Sequence, residues 1–160
     1  MNKDKLVKAY SEFMQHLHET MEDTLHFGKA LDISKEKTSQ NSDLTTEELD
    51  QVSSNVQRDV EHAAQNLPHQ ASEETFGEWL KFEVQLIEDF AIDAFLSVAD
   101  KTRIQLEEIK QHAIAYKYES GDVTAPGTFV CDNCGKEIAF KTPSQIPECP
   151  ACHGKIFVRV

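Results

Sequence analysis

The chain has 160 residues, of which 39% are hydrophobic and 28% are charged, and its formal net charge is −12 at pH 7. This composition is typical of a folded globular protein with a strongly hydrated surface and argues against a disordered chain. No segment approaches the roughly 20 consecutive apolar residues that a membrane helix needs, and the charged start, MNKDKLVKAY, is unlike a secretory signal. We therefore expect a cytoplasmic protein.

The negative charge is concentrated in the first four fifths of the chain. Residues 1–126 carry 12 Lys and Arg against 25 Asp and Glu, whereas residues 127–160 carry a net charge of +1. An acidic body repels a phosphate backbone, so contact with nucleic acid is disfavoured and would have to be made by the C-terminal segment.

The first predicted helix begins near Leu6. Its apolar residues recur at steps of three and four and therefore share one face: Leu6, Tyr10, Phe13, Leu17, Met21 and Leu25. We expect this helix to end near Leu31. The polar sequence that follows, SKEKTSQNSD, has no periodicity and is predicted to be a loop.

The second predicted helix has a marked start. Thr45 and Glu48 form a capping-box pattern, and Leu44 and Leu49 are spaced to pack across it. A narrow apolar seam of coiled-coil type follows and ends at Pro68: Leu49, Val52, Val56, Val60, Ala63 and Leu67. Such a seam predicts pairing with neighbouring helices, or self-association of the chain.

A third helical pattern begins near Ser72 and contains the largest apolar residues, which predict the centre of the core: Phe76, Trp79, Leu80, Ile87, Phe90, Ala91, Ala94, Phe95 and Val98. The stretch from Asp100 to Tyr118 either extends this helix or begins a new one after a bend. Three narrow amphipathic helices are most simply satisfied by an antiparallel hairpin or three-helix bundle over residues 1–118. Gly121, Pro126 and Gly127 then predict a linker over residues 119–127.

Four cysteines in the last 30 residues form two C-x-x-C pairs, Cys131 with Cys134 and Cys149 with Cys152, separated by 14 residues. Each pair allows a tight turn to direct two thiolates at one ion, and two such turns complete a tetrahedral site. Gly135 and Gly154 are predicted to supply unusual backbone angles in these turns. The spacing therefore predicts one structural zinc ion bound by the four cysteines.

The sequence around the cysteines predicts three strands of a small β ribbon over residues 128–160, of the rubredoxin-like type: Thr128–Val130, Ile138–Phe140 and Ile156–Val160. So short a module cannot bury enough apolar surface to fold unaided, whereas structural zinc contributes roughly 10–16 kcal/mol. Iron in a four-sulfur site is an alternative, because tetrahedral thiolates suit both metals. His153 is predicted to be a surface residue.

We find no candidate catalytic group. No histidine has the Glu three residues earlier that a di-iron bundle requires, and only Asp23 before His26 and Asp59 before His62 approximate the motif. Glu83 lies on the apolar stripe of the third helix and is interpreted as an edge residue that reaches water. The remaining helical histidines are interpreted in the same way, as solvated side chains: His16, His18, His62 and His69. We expect no enzymatic activity.

The chain resembles a bacterial family, the zinc-ribbon-containing proteins of the YbeL type, which are uncharacterised. The resemblance rests on the acidic helical region with DKT at Asp100–Thr102, on Ser120-Gly121, and on the terminal GTFVCDNCGKEIAFKTPSQIPECPACHGKIFVRV. It implies a cytoplasmic protein whose metal is bound by the four cysteines, and it supplies no catalytic residues.

The sequence as a whole predicts a mostly α protein with an acidic helical bundle and a C-terminal zinc ribbon. We expect a non-enzymatic protein–protein interaction or adaptor module. The alternative is a regulator that contacts nucleic acid or the transcription machinery through basic residues of the ribbon, which are Lys136, Lys141, Lys155 and Arg159. A third reading is electron transfer through iron.

Overall fold

The computed structural model describes residues 3–24, 26–67, 72–82, 92–108 and 116–160. Within these ranges five helices precede six short strands. The helices are α1 Lys3–Asp23, α2 Phe27–Gln40, α3 Thr46–Asn66, α4 Glu73–Leu80 and α5 Ile92–Glu108. The strands are β1 Tyr118–Glu119, β2 Val123–Thr124, β3 Gly127–Cys131, β4 Glu137–Phe140, β5 Ser144–Gln145 and β6 Ile156–Arg159. The predicted class, a mostly helical protein with a C-terminal β ribbon, is confirmed.

Helix α3 begins where its capping box predicts. The Thr45 hydroxyl accepts a hydrogen bond from the Glu48 backbone N–H at 3.2 Å, and the Glu48 carboxylate accepts one from the Thr45 N–H at 2.9 Å. All six seam residues from Leu49 to Leu67 are buried in the chain's own core, together with the stripe of α1 from Leu6 to Met21. The seam is thus already packed within one chain.

The first predicted helix is in fact two helices, and the loop predicted after Leu31 is wrong. The chain leaves α1 after Asp23, and His26 caps α2 by accepting a hydrogen bond from the Lys29 N–H at 3.2 Å. Helix α2 then continues to Gln40. Its buried face includes Ser34 and Thr38. These residues are polar, so they add nothing to an apolar pattern in the sequence, but their side chains are small enough to fit against α1.

The third helical pattern divides earlier than Asp100. Helix α4 ends at Leu80, where Lys81 adopts a left-handed conformation with φ of 60°. Helix α5 runs through Asp100 without interruption to Glu108. Phe76, Leu80, Phe95 and Val98 are buried in the helical core, as predicted. Glu83, Ile87, Phe90 and Ala91 lie outside the described residues, as do Leu25 and His69. None of the described helices is long and apolar enough to cross a membrane.

The strands form two antiparallel sheets. The larger has the order β1-β6-β3-β4, and the smaller pairs β2 with β5. The three predicted strands correspond to β3, β4 and β6, whereas β1, β2 and β5 were not predicted. A small core lies on the inner face of the larger sheet, formed by Tyr118, Phe129, Cys131, Ile146, Cys149 and Phe157.

Residues 119–127, predicted to be a linker, pack against the helices. Val123 and Ala125 are fully buried within the helical core. The Gln51 amide donates to the Gly121 carbonyl at 2.7 Å, and Arg58 pairs with the Asp122 carboxylate at 2.9 Å. The segment therefore joins helices and ribbon through specific contacts, while the division into domains stays a prediction.

Asp59 on α3 is the buried charge at the centre of this junction. Its side chain is fully buried, and its carboxylate accepts hydrogen bonds from Tyr10 at 2.5 Å, from the Ala125 backbone N–H at 2.9 Å and from Arg58 at 3.0 Å. Three donors from three parts of the chain thus compensate the cost of burying one carboxylate.

Asp59→Asn is expected to lower the free energy of unfolding by about 3 kcal/mol, because it removes one of the two carboxylates that pair with the buried Arg58 and turns an acceptor into a donor. Urea denaturation measures this loss. Asp50→Asn on the same helix is the matched control: Asp50 forms an exposed ion pair with Lys35, so its loss is expected to cost under about 1 kcal/mol. Equal losses in the two variants would contradict the role assigned to Asp59.

Candidate metal centre

Two turns with the same hydrogen-bond pattern carry the four cysteines. In the first, Cys131 N–H donates to the Lys136 carbonyl and Gly135 N–H donates to the Cys131 carbonyl, each at 2.9 Å. In the second, Cys149 N–H donates to the Gly154 carbonyl and His153 N–H donates to the Cys149 carbonyl, each also at 2.9 Å. Both C-x-x-C pairs therefore fold into equivalent loops that present their sulfur atoms to one point.

The four sulfur atoms form one cluster. All lie within 4.8 Å of one another, with Cys131 to Cys152 at 3.6 Å and Cys134 to Cys149 at 3.5 Å. Sulfur atoms bound to zinc at about 2.3 Å at the corners of a tetrahedron would be about 3.8 Å apart. None of the four cysteines is in a disulfide. The spacing fits four thiolates around an ion of that size.

The two turns reach the same shape by different residues. Gly135 has φ of 78°, as predicted, but the left-handed position in the second turn is occupied by His153, with φ of 61°. Gly154 serves a different purpose, because a Cβ atom there would lie 3.1 Å from the Cys131 sulfur and 3.2 Å from the Cys152 sulfur. The predicted backbone role of Gly154 is therefore wrong: it provides space beside the sulfur atoms.

The surroundings of the sulfur atoms favour negative charge on some of them. The Asn133 side chain and the Gly154 N–H lower the pKa of the Cys152 thiol to about 6. Although the Lys136 N–H favours its thiolate, the neighbouring thiols of Cys152 and Cys149 raise the pKa of Cys134 to about 12. Four thiols this close cannot all ionise in mutual contact, whereas a bound cation stabilises all four thiolates.

Comparison with known proteins agrees with this geometry. A family described as "Zinc-ribbon containing domain" matches residues 11–160. The chain belongs to this zinc-ribbon family. It is similar to the "Uncharacterized protein YbeL" of Escherichia coli K12 and to the protein of the same name in Escherichia coli O157:H7, each 26% identical over 161 residues that span 98% of this chain and 96% of the relative. No solved structure matches the chain.

The zinc ribbon exposes its four cysteines unequally. Cys131 and Cys149 are buried against the inner face of the sheet, Cys152 is half-buried, and Cys134 is exposed. His153, predicted to be a surface residue, is indeed exposed and lies within 4.0 Å of the Glu148 carboxylate. Among the described residues, the four cysteines are the one group of three or more metal-ligating side chains close enough to share an ion.

The interpretation of His62 as a solvated side chain is wrong. Its Nδ1 lies 2.5 Å from the Tyr118 hydroxyl, and its ring stacks on Tyr116 with centroids 4.8 Å apart. Burial, reinforced by the Arg159 charge, lowers the pKa of His62 to about 4. His62 is thus a neutral residue of the helix–ribbon junction at physiological pH. Asp59, three residues earlier, is fully hydrogen-bonded as described above.

Arg159 was predicted to be available to nucleic acid, and the structure overturns this. Its side chain is buried between ribbon and helices, and its guanidinium donates to the Pro126 carbonyl at 2.8 Å and to the Thr124 hydroxyl at 3.0 Å. The other three basic residues named for that role are exposed: Lys136, Lys141 and Lys155. No sequence signal identified the buried position, because an arginine near the end of a strand is most often solvated.

The left-handed position is held by glycine in the first cysteine turn and by histidine in the second, so substitutions there should change stability in opposite directions. Gly135→Ala is expected to destabilise the metal-bound protein by about 1 kcal/mol, whereas His153→Gly is expected to be neutral or to stabilise it by up to about 1 kcal/mol. Thermal unfolding of the metal-loaded variants measures both effects. Gly154→Ala is the control for crowding alone, because residue 154 has no left-handed φ and an added Cβ atom would only approach the sulfur atoms. A loss of stability in His153→Gly equal to that in Gly135→Ala would contradict this account.

Proposed function

We propose that Cys131, Cys134, Cys149 and Cys152 bind a single zinc ion whose role is structural. The observation that carries this proposal is the convergence of four sulfur atoms from two equivalent turns. Four thiolates close the coordination sphere and leave no position for water or substrate, so the ion holds the fold and offers no Lewis-acid chemistry. A cytoplasmic location, where thiols stay reduced, suits such a site.

Zinc is favoured over iron in this proposal by the family description, since sulfur ligands alone suit both metals. A rubredoxin-like iron site would make the purified protein red and redox-active. Colourless protein with stoichiometric zinc would exclude electron transfer through this site.

Removal of the metal is the direct test. We expect one zinc per chain by elemental analysis of freshly purified, reduced protein, and we expect Cys149→Ser with Cys152→Ser to abolish binding because only two thiolates remain. Chelation is expected to unfold the ribbon, since a structural site contributes about 10–16 kcal/mol to its folding. Its amide resonances would then lose their dispersion.

The exposed His153→Ala is the matched control for this test, and it is expected to retain one zinc per chain. A wild-type protein without stoichiometric metal, or a ribbon that stays folded after complete chelation, would overturn the proposal.

We further propose that the protein is a non-enzymatic adaptor that docks on another protein through the ribbon. Among the residues whose side chains the structure describes, the exposed large hydrophobic ones lie on the outer face of β6 and at the residue that follows it: Ile156 at 37%, Val158 at 46% and Val160 at 42%. In the sheet register Val158 faces Val130 on the neighbouring strand, which extends this face. Exposed aliphatic groups on one sheet face favour contact with an apolar surface.

Charge around this outer face favours a basic protein as the occupant. Glu119 lies opposite Ile156 on one edge, and Glu137 lies opposite Val130 on the other. The chain as a whole carries −12. A partner with an aliphatic ridge flanked by Lys or Arg would complement both the apolar centre and its acidic edges.

Affinity capture followed by reconstitution tests this docking. A partner captured by the intact protein, identified, and purified is expected to bind at least tenfold more weakly to Val158→Lys, as for loss of an apolar contact at the centre of an interface. Gln65→Lys adds the same charge at an exposed position of α3, away from the ribbon. It is the control and is expected to bind the partner as strongly as wild type. The variant with Cys149→Ser and Cys152→Ser is expected to lose the partner.

Salt separates the outcomes of this experiment. Between about 50 and 200 mM salt, screening of the acidic edges is expected to weaken the protein contact by less than about tenfold, because its apolar centre is insensitive to salt, whereas binding to nucleic acid would fall by about a thousandfold or more. Binding that disappears with nuclease treatment, or a partner recovered equally by the cysteine variant, would overturn docking through the ribbon.

A further inference from the structure

Arg159 stands out as a buried cation contributed by the ribbon to the helical body. It is the last residue of β6, the strand that directly follows the second cysteine turn. Its guanidinium makes hydrogen bonds to backbone carbonyl groups of Pro126 and Ala125 and to the Thr124 hydroxyl. All of these contacts lie in the segment that packs against α3.

Aromatic rings from both parts of the protein surround the same guanidinium. Its central carbon lies 4.3 Å from the ring centroid of Trp79 on α4, and 4.7 Å from that of Phe129 on β3. Trp79 in turn contacts Phe76 and Phe95 in the helical core, with centroids 5.7 and 6.2 Å away. Arg159 is therefore one link between the ribbon sheet and the aromatic core of the helices, beside His62, which contacts both Tyr118 and Trp79.

The neighbouring backbone is shaped for this side chain. A Cβ atom on Gly127 would lie 2.0 Å from one terminal nitrogen of Arg159 and 3.0 Å from its central carbon. Gly127 lies in β3 and has no left-handed φ, so its lack of a side chain is needed for space alone. The guanidinium thus occupies a position that only glycine at residue 127 leaves open.

We propose that Arg159 transmits metal occupancy of the ribbon to the helical body by holding β6 against Trp79. The proposal rests on the structural zinc site proposed above. With the metal bound, the second cysteine turn fixes the start of β6, and the pairing of β6 with β3 places Arg159 over Trp79. When the metal leaves, the small ribbon core cannot hold β6 in register, and Trp79 loses its cation–π partner.

The single tryptophan of the chain makes the test direct. Zinc release from the full-length protein is followed with a colorimetric zinc indicator while Trp79 emission is recorded and hydrogen exchange of α4 is measured. Chelation is expected to shift Trp79 emission to longer wavelength and to speed α4 exchange by roughly five- to tenfold, as for loss of a partly buried cation–π contact.

Two variants separate Arg159 from general unfolding. Arg159→Lys keeps the charge but loses the planar stacking group, and Gly127→Ala displaces the guanidinium without altering Arg159. Each is expected to retain zinc, to show fast α4 exchange while zinc is bound, and to change little further on chelation. Ala139→Ser, at an exposed position of β4 in the same sheet, is the control and is expected to respond like wild type.

The outcomes are distinguishable from those of the zinc proposal. Absence of releasable zinc would overturn the zinc site itself. Zinc release that leaves Trp79 emission and α4 exchange unchanged would overturn the transmission alone. A full wild-type response to chelation in Arg159→Lys and Gly127→Ala would show that another contact carries the coupling, which would also overturn the role of Arg159.

Discussion

The ribbon has too small a core to hold its own shape, and this constraint organises the structure around it. Six buried residues form that core, and two of them are cysteines. Apolar burial on this scale does not offset the conformational entropy of ordering the strands and turns of the ribbon. The remaining stabilising free energy must come from outside the apolar core. Two features can supply it: a cluster of four sulfur atoms suited to a metal at one end of the ribbon, and the helical body at the other end.

The helical body contributes buried polar contacts in addition to the apolar contacts of Val123 and Ala125. Asp59, Arg58, Gln51 and His62 all project from α3 and bind the chain between Tyr118 and Ala125. Such contacts are directional, so they fix the position of that segment as well as its proximity. The segment that leads into the ribbon is therefore held in place by α3. At its other end the ribbon makes a second buried contact with the helical body through Arg159.

Features whose cause is local in sequence could be predicted. The capping box of α3 needs only Thr45 and Glu48, the apolar seam needs only its own spacing, and each C-x-x-C turn is complete within six residues. Helix α2 could not be found in this way, because Ser34 bonds to its own helix through the Ala30 carbonyl and Thr38 to His16 on α1. Hydroxyl groups satisfied in these ways can line a buried face, but they give no apolar periodicity.

Strand β6 shows why the inward position of Arg159 could not be predicted. In the sequence IFVRV the alternation of a strand places Phe157 and Arg159 on one face and Ile156, Val158 and Val160 on the other. Hydrophobicity alone would bury the face with three aliphatic residues and expose the arginine. The structure does the opposite, because Phe157 fills the ribbon core beside the cysteines and Arg159, two residues later, must then follow it inward.

That reversal changes the net charge of the ribbon surface. With Arg159 buried, the exposed charges of the ribbon balance. The three exposed lysines are Lys136, Lys141 and Lys155, and the three exposed acids are Asp132, Glu137 and Glu148. Four thiolates around a divalent zinc ion would add a net charge of about −2. The ribbon surface is therefore neutral to acidic, next to a helical body that is strongly acidic. A surface without net positive charge disfavours phosphate binding, whereas the aliphatic side chains on the outer face of β6 remain exposed to solvent.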